Sequence, residues 1–585
     1  MDFYKVFYAK IKDITNQIAK EKGVDVSEFP NFVVESPKNE DHGDIATNVA
    51  MVLCKSFGVN PMQLAEIFKI EIEKLEEVAS VQIAKPAFIN IIFKNSYWYP
   101  FLNNILVQKE NFGKSNIGNG LKVSVEYVSA NPTGPLHVGH GRGAVLGDIV
   151  ASIYEFFGYY VTREYYINDA GGQIDVLANS LYYRYAELLN SLGDLEKGEN
   201  FYPGEYLINT AKKLISKDGD IWLNKNHQER IDYFKNYAIK EMMEIIKEGL
   251  AILGVKHDLF SSEKEIATED HYNEIIKDLT QRDLVYIGTL NPPKRNDTKV
   301  LQAENFEARE QKLFRSTYFG DDVDRALEKS NGERTYFAND MVYHNDKVKR
   351  GYDKIIDVLG ADHIGYIKRI QSAVDALSNS KVKLEGVFCQ LVNLLDDGKP
   401  LRMSKRAGNF ITLSDLVSSV GKDIFRFMMI TRKNDVSIDL DVNIANQQTL
   451  DNPVFYIQYA YARINSVLEN AKSTININKD VFQNADFSLL EDPKEIKLLK
   501  SMLKLPKFVQ SALDNNDPHR IYLYLMEVSA GFHALWNAGK EDGSLRFIIE
   551  NNEKLTISRL SLIMAASICI KNMLSLLGVN IKEKM

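Results

Sequence analysis

The sequence SANPTGPLHVGHGRGAVLGD, at residues 129–148, decides the fold of the middle of the chain. The residues before it, 122–128, alternate in polarity and are rich in β-branched side chains, which predicts a strand. The prolines and glycines of the quoted stretch end that strand, a helical pattern follows at about 139–157, and a second strand is predicted at 161–167. This β-α-β unit places its loop at the carboxyl end of the first strand, where open α/β sheets bind ligands.

Two histidines, His137 and His140, stand at the start of the predicted helix. Because they are three residues apart, they lie on one helix face, where backbone N–H groups and the helix dipole favour anionic oxygens. Imidazoles in this position can donate hydrogen bonds to phosphates as charge develops in a transition state. Gly139, Gly141 and Gly143 remove side chains, so that a flat base or a phosphate can approach the backbone closely.

Three other interpretations of this turn are open. Two histidines at this spacing can bind a metal ion, although no third ligand follows at zinc spacing. Residues 141–147 come close to the Gly-x-Gly-x-x-Gly pattern of dinucleotide sites, but their glycines fall inside the helical pattern rather than in the turn. The glycines can also serve the packing of the helix alone.

A second motif, LRMSKRAGN, lies far downstream at 401–409, between a turn at 396–400 and a helix predicted from about Ser414. Three cations in one glycine-bearing loop suit a flexible clamp on a polyphosphate. A solvated basic loop is the alternative, which the histidine motif upstream makes less favourable. The candidate phosphate-binding residues of this loop are Arg402, Met403, Ser404, Lys405 and Arg406.

The chain has 585 residues, more than one hydrophobic core usually fills, so several domains are expected. Residues 1–112 have the pattern of a small α+β domain. Residues 113–450 have that of a Rossmann-like α/β domain with a parallel sheet and a largely helical insertion at about 175–260. From 451 to 585 every long segment has helical periodicity, which predicts an all-α bundle.

The composition excludes several classes of protein. The three cysteines lack CxxC spacing, which argues against a disulfide framework and a cysteine-rich zinc site. The N-terminus lacks the apolar core of a signal peptide, and the uncharged stretch 560–570 is too short to span a bilayer, so a cytoplasmic protein is expected. A net charge of −8 argues against nonspecific coating of nucleic acid but permits a specific RNA partner.

The His-x-Gly-His turn, followed far downstream by Met-Ser-Lys, resembles the two signatures of class I aminoacyl-tRNA synthetases. More closely, the sequence resembles the arginyl-tRNA synthetases of bacterial type over nearly its whole length. The segments that carry this resemblance are 42–48, 85–92, 126–140, 336–340, 360–363, 403–409, 452–463 and 583–585.

The resemblance implies a two-step reaction in which arginine and ATP form arginyl-adenylate, and the arginyl group is then transferred to the terminal ribose of tRNA(Arg). It implies ATP with bound Mg²⁺, and no zinc. The catalytic residues would be His137, His140 and Lys405. The ATP-binding residues would be Gly139, Gly141, Arg402, Met403, Ser404 and Arg406. In the family, activation of the amino acid also waits for bound tRNA.

Arginine carries a planar cation with five donors, which carboxylates and an aromatic side chain hold best. Asp340 follows Tyr336 by four residues, so both lie on one helical face, and the resemblance assigns the guanidinium group to them. It places around the amino acid the residues Glu126, Ser129, Asn131, His137 and His363. Without the resemblance, Glu126 or Asp340 alone is equally consistent with a structural role, as a carboxylate at the end of a strand or at the N-cap of a helix.

Three positions depart from the family pattern. Many members lack the lysine of Met-Ser-Lys and carry a basic residue before the histidine motif, whereas this chain has Lys405 and places Gly134 upstream. Lys405 is therefore expected to be the main phosphate cation. Ile364 stands where a second histidine is more usual, and Glu328 lies in a stretch that usually contains Arg and Asp.

By resemblance, the N-terminal domain contacts the tRNA elbow and the C-terminal bundle reads the anticodon, and the protein is a monomer. The candidate groups for unpaired bases are Tyr456, Gln458, Tyr459 and Tyr461. Five lysines from 494 to 507, including Lys497 and Lys500, recur at helical spacing, and we expect this stripe to follow tRNA phosphates. A solvated surface stripe is the alternative.

Other functions are open at this stage. A class I synthetase for cysteine would need a zinc-binding set, and one for glutamate would need cations where Glu126 and Asp340 stand. A catalytically inactive tRNA-binding regulator would not need His137, His140 and Lys405. A small-molecule adenylate-forming ligase would not need a long helical C-terminal domain.

Overall fold

The fold is that of a computed structural model, which describes residues 2–25, 29–37, 39, 42–198, 200–290, 309–401, 411–473, 475 and 481–585. Its first elements are α1 (Phe3–Lys22), β1 (Val34–Glu35), β2 (Ile45–Thr47), α2 (Val49–Phe57), α3 (Pro61–Glu73), β3 (Val78–Ala84), β4 (Phe88–Phe93) and α4 (Tyr99–Gln108). The four strands form an antiparallel sheet in the order β1-β2-β4-β3. Apolar residues at helical spacing on α1, such as Phe7, Ile11 and Ile18, are buried in the core of this part.

The middle of the chain is an α/β region. Its elements are β5 (Lys122–Glu126), α5 (Val138–Phe156), β6 (Tyr160–Ile167), α6 (Gly172–Leu188), α7 (Glu205–Asp218), α8 (His227–Ile252), β7 (Leu259–Ser262), α9 (Glu263–Ile266), α10 (Glu269–Gln281), β8 (Val285–Gly288), β9 (Gln311–Phe314), β10 (Arg325–Ala326), α11 (Tyr336–Lys349), β11 (Lys354–Gly360), α12 (Ile367–Ser378), β12 (Lys383–Cys389), β13 (Val392–Asp396), β14 (Lys399–Pro400), α13 (Leu413–Val420), α14 (Lys422–Met428), β15 (Ile438–Asp441) and α15 (Val442–Ala445).

The predicted parallel sheet is confirmed. Five strands run parallel in the order β12-β11-β5-β6-β7, and α5 connects β5 to β6 as the sequence pattern indicates. The strand order reverses between β5 and β11, which makes the carboxyl ends of these two strands the topological switch point of the sheet. Three helices, α6 to α8, separate β6 from β7 and share a hydrophobic cluster of their own.

Two smaller sheets complete the α/β region. β10, β9 and β8 form an antiparallel sheet, and β13 pairs with β14 antiparallel and with β15 parallel. Arg142 of α5 is buried and donates to the carbonyl oxygens of Gln390 and Val436, at 2.8 Å each, and of Lys433, at 3.0 Å. This guanidinium group ties the histidine-bearing helix to the segments that lead into β13 and β15.

The predicted helical bundle is confirmed at the end of the chain. It consists of α16 (Pro453–Ala471), α17 (Pro493–Leu503), α18 (Leu505–Asn515), α19 (His519–Glu541) and α20 (Glu553–Leu576). By length and composition α20 is apolar enough to cross a membrane, contrary to the expectation from 560–570 alone, but 78% of its most apolar window is buried inside the protein. Burial in the bundle therefore explains its apolar composition.

Arg426 joins the bundle to the α/β region. Its side chain is only 2% exposed, and its donors reach three separate parts of the chain. Nε donates to the carbonyl oxygen of Leu577 at 2.9 Å, Nη1 to that of Leu253 at 3.1 Å, and Nη2 to Asp148 Oδ2 on α5 at 2.6 Å. A buried guanidinium needs such partners, so the three segments are held in one arrangement.

We expect Gly578→Ala to lower the melting temperature. Gly578 has φ +66°, and a Cβ there would lie 2.5 Å from Arg426 Nη2. Backbone strain and displacement of the buried guanidinium should together cost about 2–4 kcal/mol. Gly254→Ala is the matched control, because Gly254 has φ +73° while its added Cβ would be 3.6 Å from the nearest atom. Equal losses in thermal unfolding of the two variants would contradict this account.

Candidate active site

The carboxyl end of β5 makes an unusual turn. Val128 and Ser129 have φ values of +70° and +37°, in the left-handed region that non-glycine residues, and β-branched ones above all, rarely adopt. The turn brings Ser129 Oγ to 2.9 Å from Glu126 Oε1, to which it donates, and the same hydroxyl accepts from Tyr166 N at 3.0 Å. Strained backbone of this kind concentrates at functional sites, and here it orients the carboxylate of Glu126.

His137 and His140 stack at the start of α5, with ring centroids 3.6 Å apart. His137 is the N-cap residue, and its Nδ1 accepts from Gly139 N at 3.1 Å, while His140 Nδ1 accepts from His137 N at 3.3 Å. A neutral imidazole that accepts at Nδ1 carries its proton on Nε2. Both rings can therefore act as Nε2–H donors at a helix N-terminus, which suits an anionic ligand.

The glycines of α5 differ in their surroundings. An added Cβ would lie 2.5 Å from Leu413 and 2.8 Å from Phe425 at Gly141, 3.1 Å from the His137 ring at Gly139, and in open space at Gly143. Helix packing thus explains Gly141 without any ligand. The nucleotide contacts of Gly139 and Gly141 stay predictions, and the predicted loop residues Arg402, Met403, Ser404, Lys405 and Arg406 lie outside the described residues.

Helix α11 carries the predicted guanidinium-binding pair. Thr335 caps the helix, Tyr336 begins it with its side chain 83% exposed, and Asp340 follows one turn later. Asp340 is partly buried and accepts a short hydrogen bond from the hydroxyl of Tyr366. Burial raises the pKa of Asp340, although the Tyr366 hydrogen bond acts in the opposite direction.

Glu263, which the sequence reasoning missed, is a second carboxylate near Asp340. It follows β7 directly and accepts from Asn339 Nδ2 of α11 at 3.4 Å. Burial raises the pKa of Glu263, and the charge of Asp340 raises it further. Within the part of the chain that the structure describes, neither carboxylate forms an ion pair, although the nearby charges of Arg334 and His344 lower the pKa values of Glu263 and Asp340, respectively.

Two residues of the same helix, two and three turns after Tyr336, contact Glu126. Tyr343 donates to Glu126 Oε2 at 2.6 Å, and the ammonium group of Lys347 donates to the same oxygen at 2.5 Å. Lys347 also donates to Asp357 of β11 at 3.0 Å. Sequence reasoning missed both residues, although their spacing from Tyr336 and Asp340 follows the helical period and was a usable signal.

The remaining predicted arginine-binding residues are exposed. Asn131 lies in the loop before α5, and His363 ends a short helix directly after β11, with its side chain 53% exposed. No hydrogen bond among the described residues joins either of them to Glu126. Ile364 is also exposed, whereas Glu328 accepts from Lys312 Nζ at 2.5 Å and Tyr272 OH at 2.9 Å. Glu328, which departs from the family pattern, therefore forms a local ion pair with Lys312.

The structure corrects two of the predicted RNA-binding residues on α16. Gln458 is only 3% exposed and donates to the carbonyl oxygen of Asn580 at 3.2 Å, and Tyr461 is buried as well. Both serve the interior of the bundle. Tyr456 is half-buried against His533, with ring centroids 4.4 Å apart.

Tyr459, a predicted contact for unpaired bases, belongs to a partly exposed cluster whose other members the sequence did not indicate. Its ring stacks on Phe455 at 5.7 Å and on His533 at 5.9 Å. The guanidinium carbon of Arg463 lies 4.6 Å from the Tyr459 ring centroid and 4.7 Å from that of Trp536. Such a mixed aromatic and cationic surface suits unpaired bases.

Part of the lysine stripe packs against the N-terminal part of the chain, and part of it is exposed to solvent. Lys500 forms an ion pair with Asp44 and lies 5.4 Å from the Trp98 ring, and Lys507 lies 4.6 Å from the Tyr4 ring. Lys500 is thus committed to an internal contact, contrary to its predicted role on tRNA phosphates. Lys497 and Lys494 are exposed.

Comparisons with known proteins agree with this architecture. The chain matches the family models "Arginyl tRNA synthetase N terminal domain" at residues 7–93, "tRNA synthetases class I (R), catalytic domain" at 101–465 and "DALR anticodon binding domain" at 457–585. It is 45% identical to an arginine–tRNA ligase of Wolbachia pipientis wMel over 100% of both chains, and 44% identical to one of Parvibaculum lavamentivorans, also over 100% of both. The arginyl-tRNA synthetase structure of Thermus thermophilus has the same fold, with a TM-score of 0.70, 19% identity and 100% of both chains covered.

Lys500→Met should loosen the contact between the N-terminal part and the bundle. Asp44 Oδ2 also accepts from Phe93 N at 2.8 Å, so the carboxylate keeps one partner, and we expect a loss of about 1–2 kcal/mol in thermal unfolding. The salt dependence of RNA affinity should not change, because the charge of Lys500 is already paired with Asp44 and is not available to an RNA phosphate. Lys494→Met is the exposed control. An unchanged melting temperature together with a shallower salt slope would restore the phosphate-binding interpretation.

Proposed function

The chain belongs to the arginine–tRNA ligase family, and from that membership we propose how its residues share the reaction. Its function is the ATP-dependent ligation of L-arginine to tRNA(Arg). Arginine is first activated as arginyl-adenylate with release of pyrophosphate. The arginyl group then passes to the terminal ribose of the tRNA with release of AMP.

Two neighbouring carboxylates, Asp340 and Glu263, form no ion pair among the described residues, and this is the observation that carries the assignment of the pocket. A guanidinium cation between them would satisfy both charges and use its planar set of donors. The ring of Tyr336, which is exposed one turn before Asp340, would contact the same group. Glu126 already has Lys347 as its counter-ion, so we assign it to the α-ammonium group of arginine, with Ser129 as its support.

The activation step is assigned to the N-terminal end of α5. Arginine's carboxylate attacks the α-phosphate of ATP, and the leaving pyrophosphate takes negative charge. The Nε2–H donors of His137 and His140 would stabilise that charge, and by resemblance Lys405, Arg402 and Arg406 would do so as well. By resemblance, Mg²⁺ would enter on the phosphates of ATP as part of the substrate.

The recognition of tRNA is assigned to the two ends of the chain. We propose that residues 451–585 read the anticodon and residues 1–112 contact the elbow, with 113–450 as the catalytic domain. The Tyr459, Arg463 and Trp536 cluster is our candidate for stacking on unpaired bases. A monomer in the cytoplasm, and tRNA-dependent activation, are proposals from the resemblance.

The direct test is tRNA charging with each of the twenty amino acids, together with ATP–pyrophosphate exchange with and without tRNA. Charging by arginine alone, with exchange only when tRNA is present, is the expected result. Charging by another amino acid would overturn the pocket assignment. Binding of tRNA without any charging would favour a regulator that has lost activity.

Asp340→Asn and Glu263→Gln should each raise the KM for arginine about 10- to 100-fold, because each removes a charged partner of the guanidinium group. Glu265→Gln, at an exposed position on the same short helix as Glu263, should leave it unchanged. An unchanged KM in either pocket variant would remove that carboxylate from the pocket.

Arginine affinity should also depend on pH. The pKa values of Asp340 and Glu263 are raised, and a bound cation favours the ionised carboxylates, so binding releases protons and weakens as the pH falls. Calorimetry in two buffers of different ionisation enthalpy measures this release. Binding that takes up protons would contradict the assignment.

A further inference from the structure

Two carboxylates face each other across the switch point. Glu126 of β5 and Asp357 of β11 are partners in the parallel register, so their side chains lie on the same face of adjacent strands. Both are buried. Two like charges at adjacent strands in a buried place cannot both stay ionised without a cation between them.

Lys347 is that cation. Its side chain is 0% exposed, and its ammonium group donates to Glu126 at 2.5 Å and to Asp357 at 3.0 Å. Burial alone would lower the pKa of Lys347, but the charges of Asp357, Glu126 and Glu164 outweigh it and raise the pKa. The lysine therefore stays protonated, and it links the two strands through α11.

His344 adds a second positive charge on the far side of Asp357. Its Nε2 lies 3.1 Å from Asp357 Oδ2, and its Nδ1 lies 2.8 Å from the carbonyl oxygen of Asp340. Since both nitrogens face acceptors, both carry protons. Two cations, Lys347 and His344, thus balance two carboxylates.

We propose that Lys347 is a positioning residue for the ligation reaction, which acts by pairing with the carboxylate of Glu126 and holding it oriented toward the α-ammonium group of arginine. This inference rests on the proposed assignment of Glu126 to the amino acid. A carboxylate has about four acceptor sites. Ser129, Tyr343 and Lys347 fill three of those of Glu126, which leaves one for a substrate N–H group.

The charge balance around Glu126 determines what the loss of Lys347 would do. Without the ammonium group, His344 beside Asp357 would be the remaining cation next to this carboxylate pair, so the negative charge of the pair would be less well balanced and Glu126 would lose its fixed orientation. The other titratable groups nearby come from three elements: Asp340, Tyr343 and His344 on α11, Asp357 on β11, and Glu164 and Tyr166 on β6. Arg350 already neutralises Glu164, with Nη2 2.7 Å from Oε1, and so cannot replace Lys347.

The test compares Lys347→Met with Lys347→Arg in arginine activation with tRNA present, from about pH 6 to about pH 9. We expect Lys347→Met to raise the KM for arginine ~100-fold while the KM for ATP changes less than about threefold. The acid limb of kcat/KM for arginine should move to higher pH, and Lys347→Arg should restore part of the loss. Lys349→Met is the control on the same helix, where Lys349 pairs at the surface with Glu274.

Several outcomes would overturn the proposal. An unchanged KM for arginine in a folded Lys347→Met protein, or equal losses for arginine and ATP without a shift of the acid limb, would reduce Lys347 to a structural role. If Lys347→Met does not fold, Tyr343→Phe removes one donor from the same oxygen, and it should raise the KM for arginine about tenfold; no change would contradict positioning at that oxygen. Glu126→Gln tests the underlying assignment separately, since an unchanged KM there would remove Glu126 from the pocket whatever Lys347 does.

Discussion

Strands β5 and β11 pair in a register that sets Glu126 directly opposite Asp357, and the arrangement of the site depends on this pairing. The two carboxylates lie at the reversal of strand order, where a crevice opens in any sheet of this type. Their charges require a buried cation, which α11 supplies from Lys347. Because α11 is anchored there near its carboxyl end, Tyr336 and Asp340 in its first turns belong to the same rigid element as the buried cation.

Charged groups that find partners away from solvent also hold the larger parts of the chain together. The histidine-bearing helix α5 is held by Arg142 on one side and by the Asp148–Arg426 pair on another, and Arg426 continues to the end of α20. The N-terminal sheet meets the bundle through Asp44 and Lys500. In each case a buried or half-buried charged group joins segments that are distant in sequence, so apolar packing and specific polar contacts fix the same arrangement.

Local patterns in the sequence were sufficient for the elements and for part of the site. The β-branched run before the loop predicted β5, and the spacing of His137 and His140 predicted two rings on one face, which the structure places in a stack. The pairing of Glu126 with Lys347 was not predictable in this way, because it joins residues 221 positions apart. Gln458 and Tyr461 were misplaced for a related reason: α16 has buried residues on several of its faces, so polarity alone did not indicate which side is exposed.

The contact between Arg426 and Leu577 has a consequence for biosynthesis. The two residues are 151 positions apart, so at ordinary rates of translation the acceptor for Arg426 Nε emerges roughly 10–30 s after the guanidinium group itself. During that interval the strands of the parallel sheet are complete, but the surface of α14 that will meet the bundle has no partner. A nascent chain at this stage exposes a cationic group within an apolar surface, and we expect that surface to be prone to aggregation until α20 has been synthesised and docked.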